Sequence, residues 1–360
     1  MTSTSPVATA IGDTQSNGNI ECIPQPCCPL CGRDGQRLYA ALADWLFGVS
    51  GNWNLDSCRT CDIAWLDPQP IAEDIPKLYS SYHTHRAAPP ARIGRLRSAT
   101  HQCVLAGMGY PIDQPKEILP RLLSHVPSIA RAAALGVMSL DPSNGGTLLD
   151  VGCGNGEFIG RMRSFGWNVS GVDPDPAAVQ KGRNEGLNIF AGRISDVPGN
   201  MLYDVITLSH VIEHVSDPVD LLSDCRKRLR PETGILVITT PNIKSLGHRW
   251  FKNYWRGLEI PRHLILFSPD ALSTCIARSG LYLRSMRTET RIARLIYPTS
   301  ACAKNGNQNV GERTGFSVGA MCMGYAFQFM EDVLTYFKKD LGEEIYCVCT
   351  APAEDDGHRN

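Results

Sequence analysis

The stretch Leu148-Leu149-Asp150-Val151-Gly152-Cys153-Gly154-Asn155-Gly156-Glu157-Phe158 constrains the fold of this chain more than any other. An apolar run of the kind buried in a sheet feeds a glycine-rich turn and then a helix-like segment, so that backbone amides at a helix start face whatever lies over the strand end. Glycines at 152, 154 and 156 permit positive φ and let the main chain approach a ligand with no Cβ in the way. Strand-like and helix-like pieces then alternate: TLLDVG, GEFIGRMRSFG, WNVSGVD, PAAVQKGRNEG, LNIFAG, YDVITLS, DPVDLLSDCRKRLR and GILVITTP. Helix PDALSTCIARSG and strand LYLRSMRTE follow, and an insertion of about fifty residues carrying AFQFMEDVLTYFKKD precedes a last strand, EEIYCVCTAP. This order predicts an α/β fold with a doubly wound, mostly parallel sheet covered by helices on both faces.

The turn does not fit a dinucleotide, because the sixth position counted from Gly152 is Glu157 where G-x-G-x-x-G wants glycine. Asp150 at the strand end would repel a pyrophosphate and suits a cationic ligand, while Asp173, closing the next strand, is placed to accept ribose hydroxyls. On these residues the chain resembles the class I S-adenosylmethionine-dependent methyltransferases over about residues 145–285. The resemblance implies a Rossmann-like domain holding S-adenosylmethionine through Asp150, Gly152, Cys153, Gly154, Gly156 and Phe158. It also implies Asp173 at the ribose with Pro174 behind it, the Ile194–Asp196 turn beside adenine, and Ser209 at the end of the fourth strand. One departure is Arg193 after Gly192, where many relatives carry an acid.

His210, just past the fourth strand, is expected to face the sulfonium and to have the chemistry of a general base. The spacing His210, Glu213, His214, with His263 as a further ligand, also admits a divalent ion, as in some RNA-end methyltransferases. The segment Trp255 to Ser268 resembles one that reaches the acceptor in sugar and natural-product methyltransferases, which makes His263 the second candidate base. Tyr254, Trp255 and Glu259 then become candidate acceptor contacts, with Trp250 and Phe251 extending an apolar wall or packing a lid.

Cys28-x-x-Cys31 and Cys58-x-x-Cys61 are two knuckles separated by 26 residues, a spacing compatible with a zinc ribbon holding a structural Zn2+. With residues 64–82 this segment resembles the N-terminal zinc-binding domain of a family that includes deoxysugar C-methyltransferases. In that family the small domain covers the acceptor, and Tyr79 and Tyr82 are the matching aromatic positions.

Composition limits the partners. The 35 Lys and Arg nearly cancel 36 Asp and Glu, so no global field draws the chain to nucleic acid. Residues 1–20 carry no signal pattern, and fourteen cysteines without one suggest a reducing cytoplasm. The apolar run around 321–330 is too interrupted for stable membrane insertion. The expected organisation is a disordered tail (1–20), a zinc-binding domain (21–83), a helical connector or cap (84–144), a methyltransferase domain (145–352) and a second disordered tail (353–360). The expected activity is methyl transfer to a sugar, nucleotide-sugar or secondary-metabolite acceptor. The alternatives are an RNA methyltransferase using the zinc ribbon for nucleic-acid binding, with Arg86, Arg92, Arg95, Arg97 and Arg226–Arg230 as a basic track, and a zinc-dependent scaffold without catalysis. Oligomeric state is open.

Overall fold

The computed structural model describes residues 15–79, 94–308, 310 and 316–352. Its N-terminal part is antiparallel: β1 (Gln15–Asn17), β2 (Ile20–Ile23), β3 (Gln36–Leu42), β4 (Trp53–Cys58), β5 (Ile63–Leu66) and β6 (Gln69–Pro70). β1, β2 and β6 form one small sheet, while β3, β4 and β5 belong to a second. The tail expected over 1–20 is corrected at its end, because Gln15 pairs with Cys22 and Asn17 with Ile20. Burial of Ile20 and Cys22 anchors the hairpin, and the Asn17 amide exchanges hydrogen bonds of 2.8 Å with the backbone of Asn52. Residues 1–14, Tyr82 and the 353–360 tail lie outside the described residues.

Helices α1 (Arg95–Gly107), α2 (Ile118–Ser124) and α3 (Pro127–Ala134) lead into the main sheet. The segment around them supplies Tyr110, Leu135, Val137 and Leu140 to a core shared with Leu148, Ile159 and Trp167, and Arg161 donates to the Gly136 carbonyl at 2.9 Å. The alternating series then appears in order: β7 (Thr147–Val151), α4 (Glu157–Ser164), β8 (Asn168–Asp173), α5 (Pro176–Asn184), β9 (Ile189–Ala191), β10 (Val205–Ser209), α6 (Pro218–Arg228) and β11 (Ile235–Pro241). Helix starts follow side-chain caps, with Asp175 accepting from Ala177 N at 2.8 Å and Asp217 from Asp220 N at 2.9 Å, each next to a proline in the first turn.

Beyond β11 come α7 (Leu246–Phe251), β12 (Ile265–Leu266), α8 (Pro269–Arg278), β13 (Tyr282–Glu289), α9 (Ala293–Lys304), α10 (Val318–Phe337) and β14 (Glu344–Thr350). The central sheet has seven strands in the order β13-β14-β11-β10-β7-β8-β9. Strands β7 to β11 run parallel, and only β14 opposes its neighbours. The mostly parallel doubly wound sheet read from the sequence is therefore present. β12 stands outside this sheet and pairs antiparallel with β5, Ile265 opposite Trp65, so a strand from the C-terminal half of the chain completes the N-terminal sheet. One core consequently runs from Trp53 and Trp65 through Phe267 to Leu149 and Ile206.

Candidate functional site

The glycine turn sits where β7 ends and α4 begins, and its glycines do different jobs. Gly152 has φ +70°, and a Cβ there would meet Val211 at 2.5 Å, so glycine at this position serves close packing. Gly154 has φ +53°, and a Cβ there would meet nothing within 4 Å, so its main chain borders open space above the strand ends. Its amide donates to Asp173 Oδ2 at 2.7 Å, and Asp175 N donates to Asp173 Oδ1 at 2.9 Å. Loop and second-strand acid are thus locked together, with Asp173 pre-aimed by the backbone. Lacking Cβ atoms at the edge of an open cradle with a fixed carboxylate beside it, this arrangement fits a nucleoside with a cationic centre.

Several sequence-derived cofactor positions are revised at the side-chain level. Asp150 is buried and accepts from the Thr207 hydroxyl at 2.6 Å; burial, opposed by that hydrogen bond, pushes its carboxyl up to about 7. Cys153 turns its thiol inward toward Gly171, and burial raises it out of the reactive range, so only its main chain faces the turn. Ile194 is core, packed with Val197 and Leu208, leaving only the backbone of that turn for an adenine. Gly156 fits closely against Leu187, and Phe158 packs on the same core. Pro174 and Ser209 remain exposed.

The two expected bases fare differently from expectation. His210, at φ +55°, donates from Nδ1 to Glu213 Oε1 (3.1 Å) and from Nε2 to Glu344 Oε1 (2.8 Å). Burial opposes its charge, but the hydrogen bonds and charges of Glu213 and Glu344 outweigh burial and raise it to about 10. An imidazole with both nitrogens donating to carboxylates is an imidazolium, which has no lone pair with which to accept a proton. His263 is buried and donates from Nδ1 to the Gly257 carbonyl at 2.8 Å; burial, outweighing Glu259, lowers it to about 4 and keeps it neutral.

The imidazole that sequence reasoning weighed only as a metal ligand, His214, occupies the junction of the two parts. Its Nδ1 donates to the Arg262 carbonyl at 2.9 Å and lies 3.1 Å from the hydroxyl of Tyr79, in the 3-10 turn Ile75–Tyr79 of the N-terminal part. Half-buried and fixed at Nδ1, it keeps Nε2 as its lone-pair nitrogen. Nothing in the local sequence reveals this, because Tyr79 and His214 are 135 residues apart. One carboxylate oxygen of Glu213 and one nitrogen each of His214 and His263 lie within 4.8 Å of one another. His210 is outside that group, and the helical face expected for the set is a single 3-10 turn, Ile212–His214.

Among the acceptor candidates, Trp255 is not a wall: it is fully buried and donates from Nε1 to Glu343 Oε2 at 2.8 Å. Glu259 is also structural, paired with Arg256 at 3.4 Å and Arg262 at 3.5 Å. Phe251 packs on Tyr297 and Phe327, whereas Trp250 and Tyr254 stay partly open.

The sulfurs of Cys28, Cys31, Cys58 and Cys61 lie within 4.8 Å of one another, Cys31 and Cys58 at 3.7 Å. Two Zn–S bonds of ~2.3 Å at the tetrahedral angle separate sulfurs by ~3.8 Å, so the set fits a closed structural zinc site. Burial works against the Cys58 thiolate, yet the amides of Cys61 and Thr60 with the neighbouring thiols bring it down to about 7. Arg278 of α8 donates to the Leu30 carbonyl, tying this knuckle to the main domain.

Residues 122–286 match the family model described as a methyltransferase domain. The chain is 34% identical over 122 residues to the mitochondrial ubiquinone biosynthesis O-methyltransferase of Saccharomyces cerevisiae, covering 31% of this chain and 38% of that one. It is 34% identical over 110 residues to the ubiquinone biosynthesis O-methyltransferase of Actinobacillus pleuropneumoniae, covering 27% and 47%. It thus spans less than half the length of either relative. A solved SAM-dependent methyltransferase from Archaeoglobus fulgidus aligns with 57% of this chain and 86% of its own, at 18% identity and a TM-score of 0.38. Residues 122–286 thus carry a methyltransferase domain, and the strand order, glycine cradle and fixed second-strand acid agree with a class I S-adenosylmethionine-dependent fold.

Proposed function

We propose that this protein transfers the methyl group of S-adenosylmethionine to a small-molecule acceptor at the junction between the N-terminal part and the carboxyl ends of the sheet strands. The observation carrying this reading is the open turn at Gly154 bonded to Asp173 within a methyltransferase domain. Bound there, the donor supplies an electrophilic methyl on a sulfonium. Asp173 holds the ribose, the loop amides set its position, and the acceptor is aligned in line by the junction.

His214 is the base in this scheme, its Nε2 having no hydrogen-bond partner among the described residues and its orientation set by the Arg262 carbonyl and Tyr79. The imidazolium of His210 instead clamps Glu213 and Glu344. A structural zinc on the four cysteines holds the N-terminal part in shape. The acceptor is a hydroxyl- or acidic-carbon-bearing sugar, nucleotide-sugar or secondary-metabolite intermediate; the relatives named for O-methylation in ubiquinone biosynthesis support a hydroxyl-bearing small molecule.

Calorimetry with S-adenosylmethionine and its demethylated product tests the donor site. Turnover with nucleotide-linked deoxysugars and with catechols tests the acceptor class. Absence of donor binding removes the function; donor binding with no turnover on either acceptor class removes the acceptor assignment alone.

A further inference from the structure

Helix α10 is built the wrong way round for a helix of a water-soluble surface. Its charged side chains are Glu331 and Asp332 alone, and both turn toward the protein. Glu331 is fully buried with neither carboxyl oxygen hydrogen-bonded, and Asp332 accepts from the Thr290 hydroxyl. The outward side carries instead Val318 (81% exposed), Phe329 (70%), Tyr336 (83%) and Phe337 (80%), with Tyr325 and Val333 between them. A surface helix in water normally does the reverse, and a contiguous exposed apolar patch marks an interaction face. No helix among the described residues is long and apolar enough to cross a membrane, so whatever covers this side meets α10 lying flat.

The rim of the patch carries positive charge. Lys338 and Lys339 follow Phe337 directly and are exposed. Away from the patch, the main chain of Arg294 on α9 packs against Gly324 on the inward side of α10, and burial and then the charges of Arg97 and Arg291 hold its guanidinium below the usual value. His101 of α1 lies in the same field, lowered by burial and then by Arg97, Arg161 and Arg294. A contact between two copies of this face would offer Lys338 and Lys339 no acidic partner from α10, whose Glu331 and Asp332 both turn inward. An anionic lipid surface supplies both an apolar layer for the aromatic side chains and negative charge for the rim.

We infer that the outward face of α10, with Lys338 and Lys339 at its C-terminal end, docks this protein on the surface of an anionic lipid bilayer. Docking orients the junction at Tyr79 and His214 relative to the membrane without inserting a spanning segment. The inference stands apart from the methyl-transfer reading, since binding is measured without turnover.

The full-length protein is sedimented with vesicles of pure phosphatidylcholine and of phosphatidylcholine with phosphatidylglycerol. The expected result is partition onto the anionic vesicles that weakens as salt is raised. The F329S/F337S double variant loses it while keeping its unfolding temperature and donor affinity. K338A and K339A each weaken it about fivefold. Failure to bind anionic vesicles, or equal salt-insensitive partition onto neutral ones, overturns the inference. So does a concentration-dependent dimer, seen by light scattering, that F329S/F337S dissolves.

Discussion

Arg262 and Asp44 form a fully buried, two-pronged ion pair, Nη1 at 3.0 Å from Oδ2 and Nη2 at 3.1 Å from Oδ1, between residues 218 positions apart. The guanidinium also donates to the Leu78 carbonyl at 3.3 Å and stacks 4.4 Å over the Phe47 ring. Arg262 precedes His263 and supplies the carbonyl that fixes His214, so one residue joins the N-terminal part to the candidate base. The pair's value is orientation, since burial of both charges offsets much of their attraction.

Arg262→Met leaves the buried Asp44 carboxylate without its counter-charge, held only by the amides of Leu46, Phe47 and Val49, and is expected to cost about 3 kcal/mol in chemical denaturation. The double variant Asp44→Leu/Arg262→Met is expected to recover a large part of that loss. A double variant no more stable than the single would show that the pair is not the source of the cost.

His210 gives a pH dependence with a definite sign. Its folded-state value, about 10, lies above the ordinary 6.5, so its contribution to stability is complete below about 6.5 and lost as pH rises through about 10. Glu213, brought down to about 2 as the hydrogen bond and charge of His210 overcome burial, contributes fully above its ordinary 4.5 and loses that contribution as pH falls toward 2. The cluster is thus at full strength between about pH 4.5 and 6.5. The side chain is 35% exposed, so water screens part of the effect. Ring-proton NMR is expected to show His210 still protonated at pH 8; a midpoint near 6.5 would return it to the list of bases.

Removing the base should separate chemistry from binding. His214→Gln is expected to lower kcat by about 10²–10⁴ with donor affinity unchanged, and Tyr79→Phe to do less, through misorientation of His214. His263→Gln acts through packing instead, lowering the unfolding temperature. Equal loss of kcat in His210→Gln and His214→Gln, with both proteins folded, would contradict the assignment.

Asp173→Ala deletes the carboxylate that bonds Gly154 N and Asp175 N. Loss of charge-assisted hydrogen bonds worth about 1.5–3 kcal/mol each predicts a donor Kd raised about tenfold or more. Calorimetry reads this directly.

The four-cysteine cluster predicts about one zinc per chain by elemental analysis. Stripping it with a strong chelator is expected to unfold the β3–β5 sheet, which shifts the emission of buried Trp53 and Trp65. Cys58→Ser protein that retains full zinc would remove that cluster as the site.

What the sequence determined by itself is local. The turn at Gly152–Gly156 needs positive φ and absent Cβ atoms, the C-x-x-C pairs need only a short knuckle, and the period of apolar residues names strands and helices; all act within a few positions of the chain. The element order of the seven-stranded sheet was readable for the same reason. Protonation was not. His210 is a cation because β14 delivers Glu344 from 134 residues away, and Trp255 is spent on buried Glu343 rather than on an acceptor. The pairing of His214 with Tyr79 and the outward aromatic side of α10 were equally invisible, because burial and distant charges, not residue type, set what an ionisable or apolar side chain does.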